Sequence, residues 1–236
     1  MKILRCLLLA GLLSGYDTSA VSQIRVMVPD RILDRQIRFA REIERYLLKD
    51  RIEPPSAGGI EFIGSSIFRL WTHLEEQMAP LPVFNRAFGG SQTGEVLHYM
   101  DTLVLRYHPS IIVYYCGSND VNAGEPAEKI ANRFIAFAER VRSVDPATRI
   151  FYVSITRAPQ KRNRWMVVDS ANALVEKYCG KRAGRTFIDV NPLLFDEGGN
   201  PRLDLYRDDR LHFSEEGYVR LAGMIRPVLL HAWQNR

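Results

Sequence analysis

The sequence predicts one α/β domain built on a parallel sheet with helices covering both of its faces. Three observations carry that expectation. From residue 60 onward, strand-like runs alternate with helix-like segments, the pattern of successive βαβ units. Several of these runs are near-continuous β-branched and aromatic stretches, such as Ile111-Ile112-Val113-Tyr114-Tyr115. Strands buried on both faces look like that, whereas a sheet with one wet side alternates apolar with polar residues. The chain has 236 residues, enough for one full core, and neither a repeat nor a linker interrupts the alternation.

The elements follow in order. Residues 1–20, MKILRCLLLAGLLSGYDTSA, read as a signal peptide: Lys2 and Arg5 precede a short apolar run, and Thr18-Ser19-Ala20 offers small residues before Val21. Tyr16 and Asp17 interrupt the pattern, and the competing reading is an apolar helix packed on the domain. The first reading makes the protein secreted or periplasmic, the second cytoplasmic. Cys6 lacks the context of a lipidated cysteine. Residues 21–58 form a helical extension, because Ile37, Phe39, Ala40, Ile43, Tyr46, Leu47 and Leu48 recur at helical spacing. The breaker cluster Glu53-Pro54-Pro55-Ser56-Ala57-Gly58-Gly59 ends it. Residues 59–236 are the α/β domain, with strands expected at 60–64, 83–88, 111–116, 149–155 and 186–190. Helices are expected at 67–78, 93–106, 127–144, 165–179 and 214–233.

Composition removes several functional classes. The balance of 32 basic and 27 acidic residues gives a net charge of +5. The basic clusters at Lys161-Arg162-Asn163-Arg164, at Lys181-Arg182 and at Arg185 read as solvated faces and loop ends, with no nucleic-acid module around them. No apolar stretch reaches the roughly eighteen residues of a membrane span. The five His, at 73, 98, 108, 212 and 231, are scattered, so no metal site is expected. Neither a Gly-x-Gly-x-x-Gly nor a phosphate loop is present, so no cofactor is expected. Cys116 closes a strand while Cys179 closes the helix after the next strand, at the opposite edge of the sheet, so the two are not expected to pair.

In parallel sheets, ligands sit at the carboxyl ends of the strands. Gly64-Ser65-Ser66 follows the first strand, Gly89-Gly90-Ser91 the second and Gly117-Ser118-Asn119-Asp120 the third; Asp209-Arg210-Leu211-His212 precedes the last helix. Each piece alone has an ordinary explanation: a helix cap for Ser66, a tight turn for Gly89-Gly90, a turn or helix cap for Asn119-Asp120, a loop histidine for His212. Their convergence on one edge changes the weighing. Ser66 as nucleophile needs a base, which His212 supplies, and the Asp-x-x-His spacing lets one turn aim a carboxylate at the ring. Asp209 is that carboxylate, with Asp208 a rival. Gly90, through an unobstructed backbone N–H, and Asn119, through its amide, are candidate oxyanion donors.

Phe62-Ile63-Gly64-Ser65-Ser66, Asn85-Arg86-Ala87-Phe88-Gly89-Gly90, Gly117-Ser118-Asn119-Asp120 and Asp209-Arg210-Leu211-His212 together resemble the four blocks of the SGNH (GDSL-like) hydrolase superfamily. The chain is most similar to its platelet-activating-factor acetylhydrolase-like branch, over about residues 59–233. The resemblance implies a three-layer α/β/α flavodoxin-like domain with a five-stranded parallel sheet of order 2-1-3-4-5. It also implies a serine esterase that hydrolyses short-chain acyl esters, acetyl foremost, through an acyl-serine, on small-molecule or glycan ester substrates. Carried over by position, Ser66 is the nucleophile and donates its own N–H to the oxyanion. Gly90 and Asn119 complete the hole, His212 is the base and Asp209 supports it. Two positions depart from the pattern: Ser65 stands where the eponymous motif has Asp, and Ala87 where many relatives have Gly. The absence of Gly-x-Ser-x-Gly argues against the nucleophile elbow of α/β-hydrolases. An acyltransferase acting on a sugar hydroxyl, or a non-catalytic carbohydrate- or lipid-binding module on the same fold, are the competing expectations.

The leader makes the first prediction. Mature protein from the native host begins near Val21; Edman sequencing that finds Met1 or Lys2 on most of the product overturns the signal-peptide reading.

Overall fold

The structure is a computed structural model that describes residues 30–236, with side chains from residue 39 onward; the 1–20 leader therefore lies outside the described residues. Along the chain the helices are α1 (Asp30–Asp50), α2 (Ser66–Arg69), α3 (Leu74–Met78), α4 (Thr93–His98), α5 (Met100–Leu103), α6 (Ser118–Asn122), α7 (Ala127–Val144), α8 (Trp165–Cys179) and α9 (Glu215–Gln234). The strands are β1 (Ile60–Gly64), β2 (Val83–Asn85), β3 (Ile111–Tyr115), β4 (Arg149–Val153) and β5 (Arg185–Ile188). They form one sheet in the order β2-β1-β3-β4-β5, and every neighbouring pair is parallel. This is the order that the resemblance implies.

Side chains alternate across each strand, so successive residues feed two separate cores. Phe62, Val113, Tyr115 and Val153 pack beneath α2, α3 and α9, against Phe68, Trp71, Leu221 and Ile225. Ile63, Ile112, Tyr114 and Tyr152 pack on the other face against α4, α7 and α8, where Val96, Phe134, Phe137 and Val175 meet them. The uninterrupted apolar run of β3 follows from these two buried faces: its burial leaves no position for a polar side chain.

Helices α7 and α8 occupy the spans that their periodicity predicts, and α9 differs by one residue at each end. Ser214 caps α9, its hydroxyl accepting from Gly217 N–H at 3.2 Å. Elsewhere the expected boundaries shift for local reasons. The helix expected at 67–78 is two short helices, because the chain turns at Leu70–His73 to seat the Trp71 indole beside Phe62 and Tyr218. The one expected at 93–106 likewise divides into α4, α5 and a 3₁₀ turn at Leu105–Tyr107. β2 stops at Asn85, although Arg86 N–H and Phe88 N–H still donate to Phe62 and Gly64 carbonyls at 2.8 and 3.0 Å. β4 ends before Ile155 because the Asn172 amide of α8 binds both backbone groups of that residue, at 2.9 Å each. A short helix, α6, follows β3 after Cys116 and Gly117.

Two basic residues expected on solvated surfaces are buried. Lys161 is only 1% exposed, its ammonium donating to Gln160 Oε1 at 3.0 Å. Burial pulls that ammonium down to about 8, with the Asp209 carboxylate opposing the shift. Arg185 turns inward to donate to the Thr148 and Ala138 carbonyls at 3.1 and 3.2 Å. A carbonyl of α7 and one just before β4 thus hold this guanidinium. Cys116 and Cys179 are both buried free thiols, unpaired as expected.

β1 also carries a polar residue that periodicity overlooks. Glu61 is 0% exposed, and neither carboxyl oxygen has a hydrogen-bond partner among the described residues. Burial pushes its carboxyl well above the usual range, Arg86 opposing and Asp50 adding to the rise. A raised folded value means that Glu61 favours the native state most below its unfolded value, near 4.5, and loses that contribution as the pH climbs. Glu61→Met therefore stabilises the protein by about 1 kcal/mol or more at pH 8, and the gap over wild type widens between pH 5 and 8 in urea titrations. A gap that stays constant over this range shows that Glu61 is not the titrating group.

Candidate active site

β1 ends in Gly64, and after Ser65 the residue Ser66 opens α2 at the carboxyl edge of the sheet. Gly64 has φ of +142°, and a Cβ there would lie 1.8 Å from the Tyr115 carbonyl oxygen. Only glycine allows the ends of β1 and β3 to come this close. Ser65 N–H donates to that same Tyr115 carbonyl at 3.0 Å. Ser65, not Ser66, occupies the N-cap position, with no side-chain capping bond. Its hydroxyl is buried and lacks a hydrogen-bond partner among the described residues, so the missing Asp has been replaced by a group that takes no part in the neighbouring hydrogen bonds. Ser66 is thereby spared a capping role.

The Ser66 hydroxyl meets His212 Nε2 at 2.9 Å, and His212 Nδ1 meets Asp209 Oδ2 at 2.6 Å. Asp209, not Asp208, is the carboxylate on the ring. The other Asp209 oxygen accepts from the backbone N–H of Leu211 and of His212, each at 2.9 Å. Partial burial pushes the Asp209 carboxyl up, but the His212 ring and these two amides outweigh it and hold the group at about 2. A carboxylate kept ionised in this way fixes Nδ1 as the protonated ring nitrogen and leaves Nε2 to accept. The loop carrying the pair is itself fixed. Tyr206 and Phe213 bridge its ends, Arg207 N–H donates to the His212 carbonyl at 2.8 Å, and Gln160 N–H donates to the Arg210 carbonyl at 3.1 Å. From α9, Tyr218 donates to the Ile67 carbonyl at 2.8 Å, tying the helix that follows His212 to the one that begins with Ser66.

The two glycine-rich loops gather beside Ser66. Phe88 N–H and the Ser91 hydroxyl both donate to the Gly64 carbonyl, at 3.0 Å each. Between them Gly90 has φ of +80°, a conformation that suits glycine. Asn119, on α6, donates one amide hydrogen to the Ser91 carbonyl at 3.0 Å, which leaves the second to point elsewhere. All five candidate residues thus belong to one connected edge: Ser66, His212 and Asp209 in a single chain of hydrogen bonds, Gly90 on its loop and Asn119 on α6 joined through Ser91 and Gly64. A separate cavity of about 500 Å³ at the ends of β4 and β5 is lined by Arg157, Trp165 and Asp189 and includes none of the five.

Residues that no motif singles out by role hold this edge together. Asn85 donates to the Phe68 carbonyl at 2.7 Å and accepts from Ala87 N–H at 2.9 Å, locking the second block onto α2. Asp120 is fully buried. It accepts from Thr93 N–H at 2.9 Å and from the Thr93 hydroxyl at 2.5 Å, and pairs with Arg133 at 3.2 Å. Asn85 and Asp120 stand inside the recognised blocks, so the sequence offered their position but not their partners. Ala87, the other departure, is buried, and its carbonyl accepts from Tyr46 at 2.6 Å.

A doubly covered parallel sheet with a Ser–His–Asp chain of hydrogen bonds at its carboxyl edge is the arrangement of a hydrolase. The chain belongs to the GDSL-like lipase/acylhydrolase family, whose model matches residues 63–220, and it is a carboxylic ester hydrolase of that type. Solved structures share the fold. A protein from Streptococcus pneumonia named for platelet activating factor is 22% identical, with a TM-score of 0.72 over 84% of this chain and 97% of its own. A GDSL-like lipase from Bacteroides thetaiotaomicron is 19% identical, with a TM-score of 0.70 over 80% of this chain and 98% of its own. An acetyl xylan esterase is 16% identical, with a TM-score of 0.62 over 72% and 98%. No curated protein sequence matches the chain.

Asp120 provides the test of how the edge is held. Asp120→Ala strands Thr93 N–H and the Thr93 hydroxyl, while Arg133 keeps Glu125 at 3.6 Å, so it costs about 2 kcal/mol in urea unfolding. A loss under about 1 kcal/mol assigns the positioning of the third block to backbone bonds alone.

Proposed function

We propose that the protein is a serine esterase that hydrolyses short-chain acyl esters, acetyl esters foremost, through an acyl-serine on Ser66. The observation that carries this reading is the two-sided engagement of the His212 ring, 2.9 Å from Ser66 Oγ on one nitrogen and 2.6 Å from Asp209 on the other. Ser66 Oγ attacks the ester carbonyl carbon as His212 Nε2 takes its proton. The carbonyl oxygen becomes an oxyanion, met by the backbone N–H groups of Ser66 and Gly90 and by the second Asn119 amide hydrogen. His212 then gives its proton to the departing alcohol oxygen, the C–O bond breaks, and the acyl group stays on Ser66. Water attacks the acyl-enzyme with His212 again as base. Collapse returns the proton to Ser66 Oγ and releases the acid. Asp209 holds the Nδ1 proton throughout and stabilises the charged ring.

The family acts on esters, and one structural neighbour is an acetyl xylan esterase, which favours a short acyl group and a glycan or small-molecule alcohol. No residue of the proposed mechanism calls for a cofactor. Hydrolysis and transfer share the acyl-enzyme and differ only in the acceptor, so one assay separates them. Incubated with 4-nitrophenyl acetate, the enzyme releases acetate at a rate that added xylose leaves unchanged; acetylated sugar as the main product assigns transfer instead.

The residue roles are checked by substitution. Ser66→Ala abolishes ester turnover and fluorophosphonate labelling with little change in melting temperature, since Ser65 holds the cap position. His212→Ala is nearly as severe, and Asp209→Asn is the mildest of the three. Asn119→Ala lowers kcat about a hundredfold to a thousandfold with a smaller effect on KM. An unchanged kcat removes Asn119 from the mechanism, and a wild-type protein that neither takes the label nor cleaves activated esters removes the mechanism itself.

A further inference from the structure

Helix α1 precedes the segment matched by the family model, yet one of its faces is given over to the loop that leads to Gly90. Phe39, Glu42, Tyr46 and Asp50 are spaced three, four and four residues apart and therefore line one side of the helix. The Phe39 ring meets the Phe88 ring edge-on at 5.2 Å. Tyr46 donates to the Ala87 carbonyl at 2.6 Å, and Asp50 forms a buried ion pair with Arg86. Three consecutive loop residues, 86, 87 and 88, are thus each gripped by α1. Glu42 adds a fourth attachment by pairing with Arg69 at 2.6 Å. Arg69 ends the helix that Ser66 begins, and its side chain lies against Gly89, where an added Cβ would stand 2.9 Å from Arg69 Cδ.

The Tyr46 bond is the informative one. Ala87 C=O and Phe88 N–H belong to the same peptide plane. Tyr46 holds the oxygen side of that plane, and the Gly64 carbonyl accepts from the nitrogen side at 3.0 Å. Gly64 lies two residues before Ser66, so this single rigid plane connects α1 to the backbone that carries the nucleophile. Gly90 follows two residues after Phe88, in a left-handed conformation that its loop must hold. Burial, with the Glu42 charge adding and Arg86 opposing, pushes the Tyr46 phenol up to about 12, so it remains a donor across the working range of pH.

We propose that α1 is a clamp on the oxyanion loop and that Tyr46 is its positioning residue, setting where the Gly90 N–H stands relative to Ser66. This rests on the reading of Gly90 as an oxyanion donor. A donor displaced by a fraction of an ångström still lets substrate bind but meets the transition state badly, so the clamp acts on kcat and leaves KM alone.

Tyr46→Phe in the full chain deletes one hydroxyl and keeps the ring against Arg86. With 4-nitrophenyl acetate, kcat falls about tenfold or more while KM stays within about twofold. Phenylboronic acid provides the second readout. Its boron bonds Ser66 Oγ as the serine proton passes to His212, and one boron-bound oxygen takes the oxyanion position. Its inhibition constant rises by the same factor as kcat/KM falls. Glu42→Gln, at the rim of the clamp, lowers kcat by about twofold to threefold and serves as the test should Tyr46→Phe fail to fold. A purely structural α1 shifts the urea midpoint of these variants and leaves kcat and boronic acid affinity at wild-type values; that result overturns the clamp while Asn119→Ala still loses rate. If Asn119→Ala also keeps full rate, the oxyanion reading has failed first and takes the clamp with it.

Discussion

The site depends on the carbonyl end of β1. Gly64 brings β1 so close to Tyr115 that no side chain fits between them, and Ser65 N–H closes the gap with a bond to the Tyr115 carbonyl. The Gly64 carbonyl then accepts from Phe88 N–H and from the Ser91 hydroxyl, and the Ser91 carbonyl accepts from the Asn119 amide. One glycine thereby joins the loops of β1, β2 and β3 in one hydrogen-bonded network. Each bond contributes about 1 kcal/mol net, but leaving any buried partner unmet costs more than the bond is worth. The network is therefore made completely or not at all, and the loops inherit the rigidity of the sheet.

The acid–base half of the site is assembled differently. Ser66 and His212 are 146 residues apart, so their meeting requires a completed sheet and a docked α9. The Asp209 loop arrives already organised: its own amides bind the carboxylate, a bridge between Tyr206 and Phe213 closes it, and Gln160 holds it from the β4 side. Local bonds shape the loop, and the tertiary contacts between Tyr218 and Ile67 and between Gln160 and Arg210 aim it. In the mechanism we propose, a preformed arrangement of this kind needs no reorganisation at the moment of reaction, the condition under which fixed dipoles are most effective.

Buried polar groups mark where the fold accepts a cost. Arg86 lies within 5.0–5.2 Å of the rings of Tyr46, Phe84 and Tyr107 and pairs with Asp50, while Glu61 nearby has no hydrogen-bond partner among the described residues and burial pushes its carboxyl upward. An apolar core of the same volume would be more stable. The arrangement instead fixes the register of α1 against the second block, because a helix held by hydrophobic contacts alone could slide while one held by Arg86 and Ala87 cannot.

Much of this architecture was legible in the sequence. Alternating segments and the doubly apolar run of β3 specify a covered parallel sheet, since burial on both faces acts residue by residue and leaves a direct imprint. Helices α7 and α8 kept their expected spans for the same reason, and the four blocks pointed to Ser66, Gly90, Asn119, Asp209 and His212 because a chemical role restricts residue type. What failed to appear in the sequence is whatever depends on a partner far along the chain. The break between α2 and α3 answers to a Trp71 seat built by Phe62 and Tyr218; the end of β4 answers to Asn172. Lys161 and Arg185 looked like surface charges until the structure closed over them. Ser66 taken alone reads as a helix cap, but Ser65 takes that position and the Ser66 hydroxyl meets His212. Periodicity and motif spacing record what each residue needs from its neighbours in sequence, whereas hydrogen bonds across the sheet edge are satisfied by groups whose proximity only the folded chain creates.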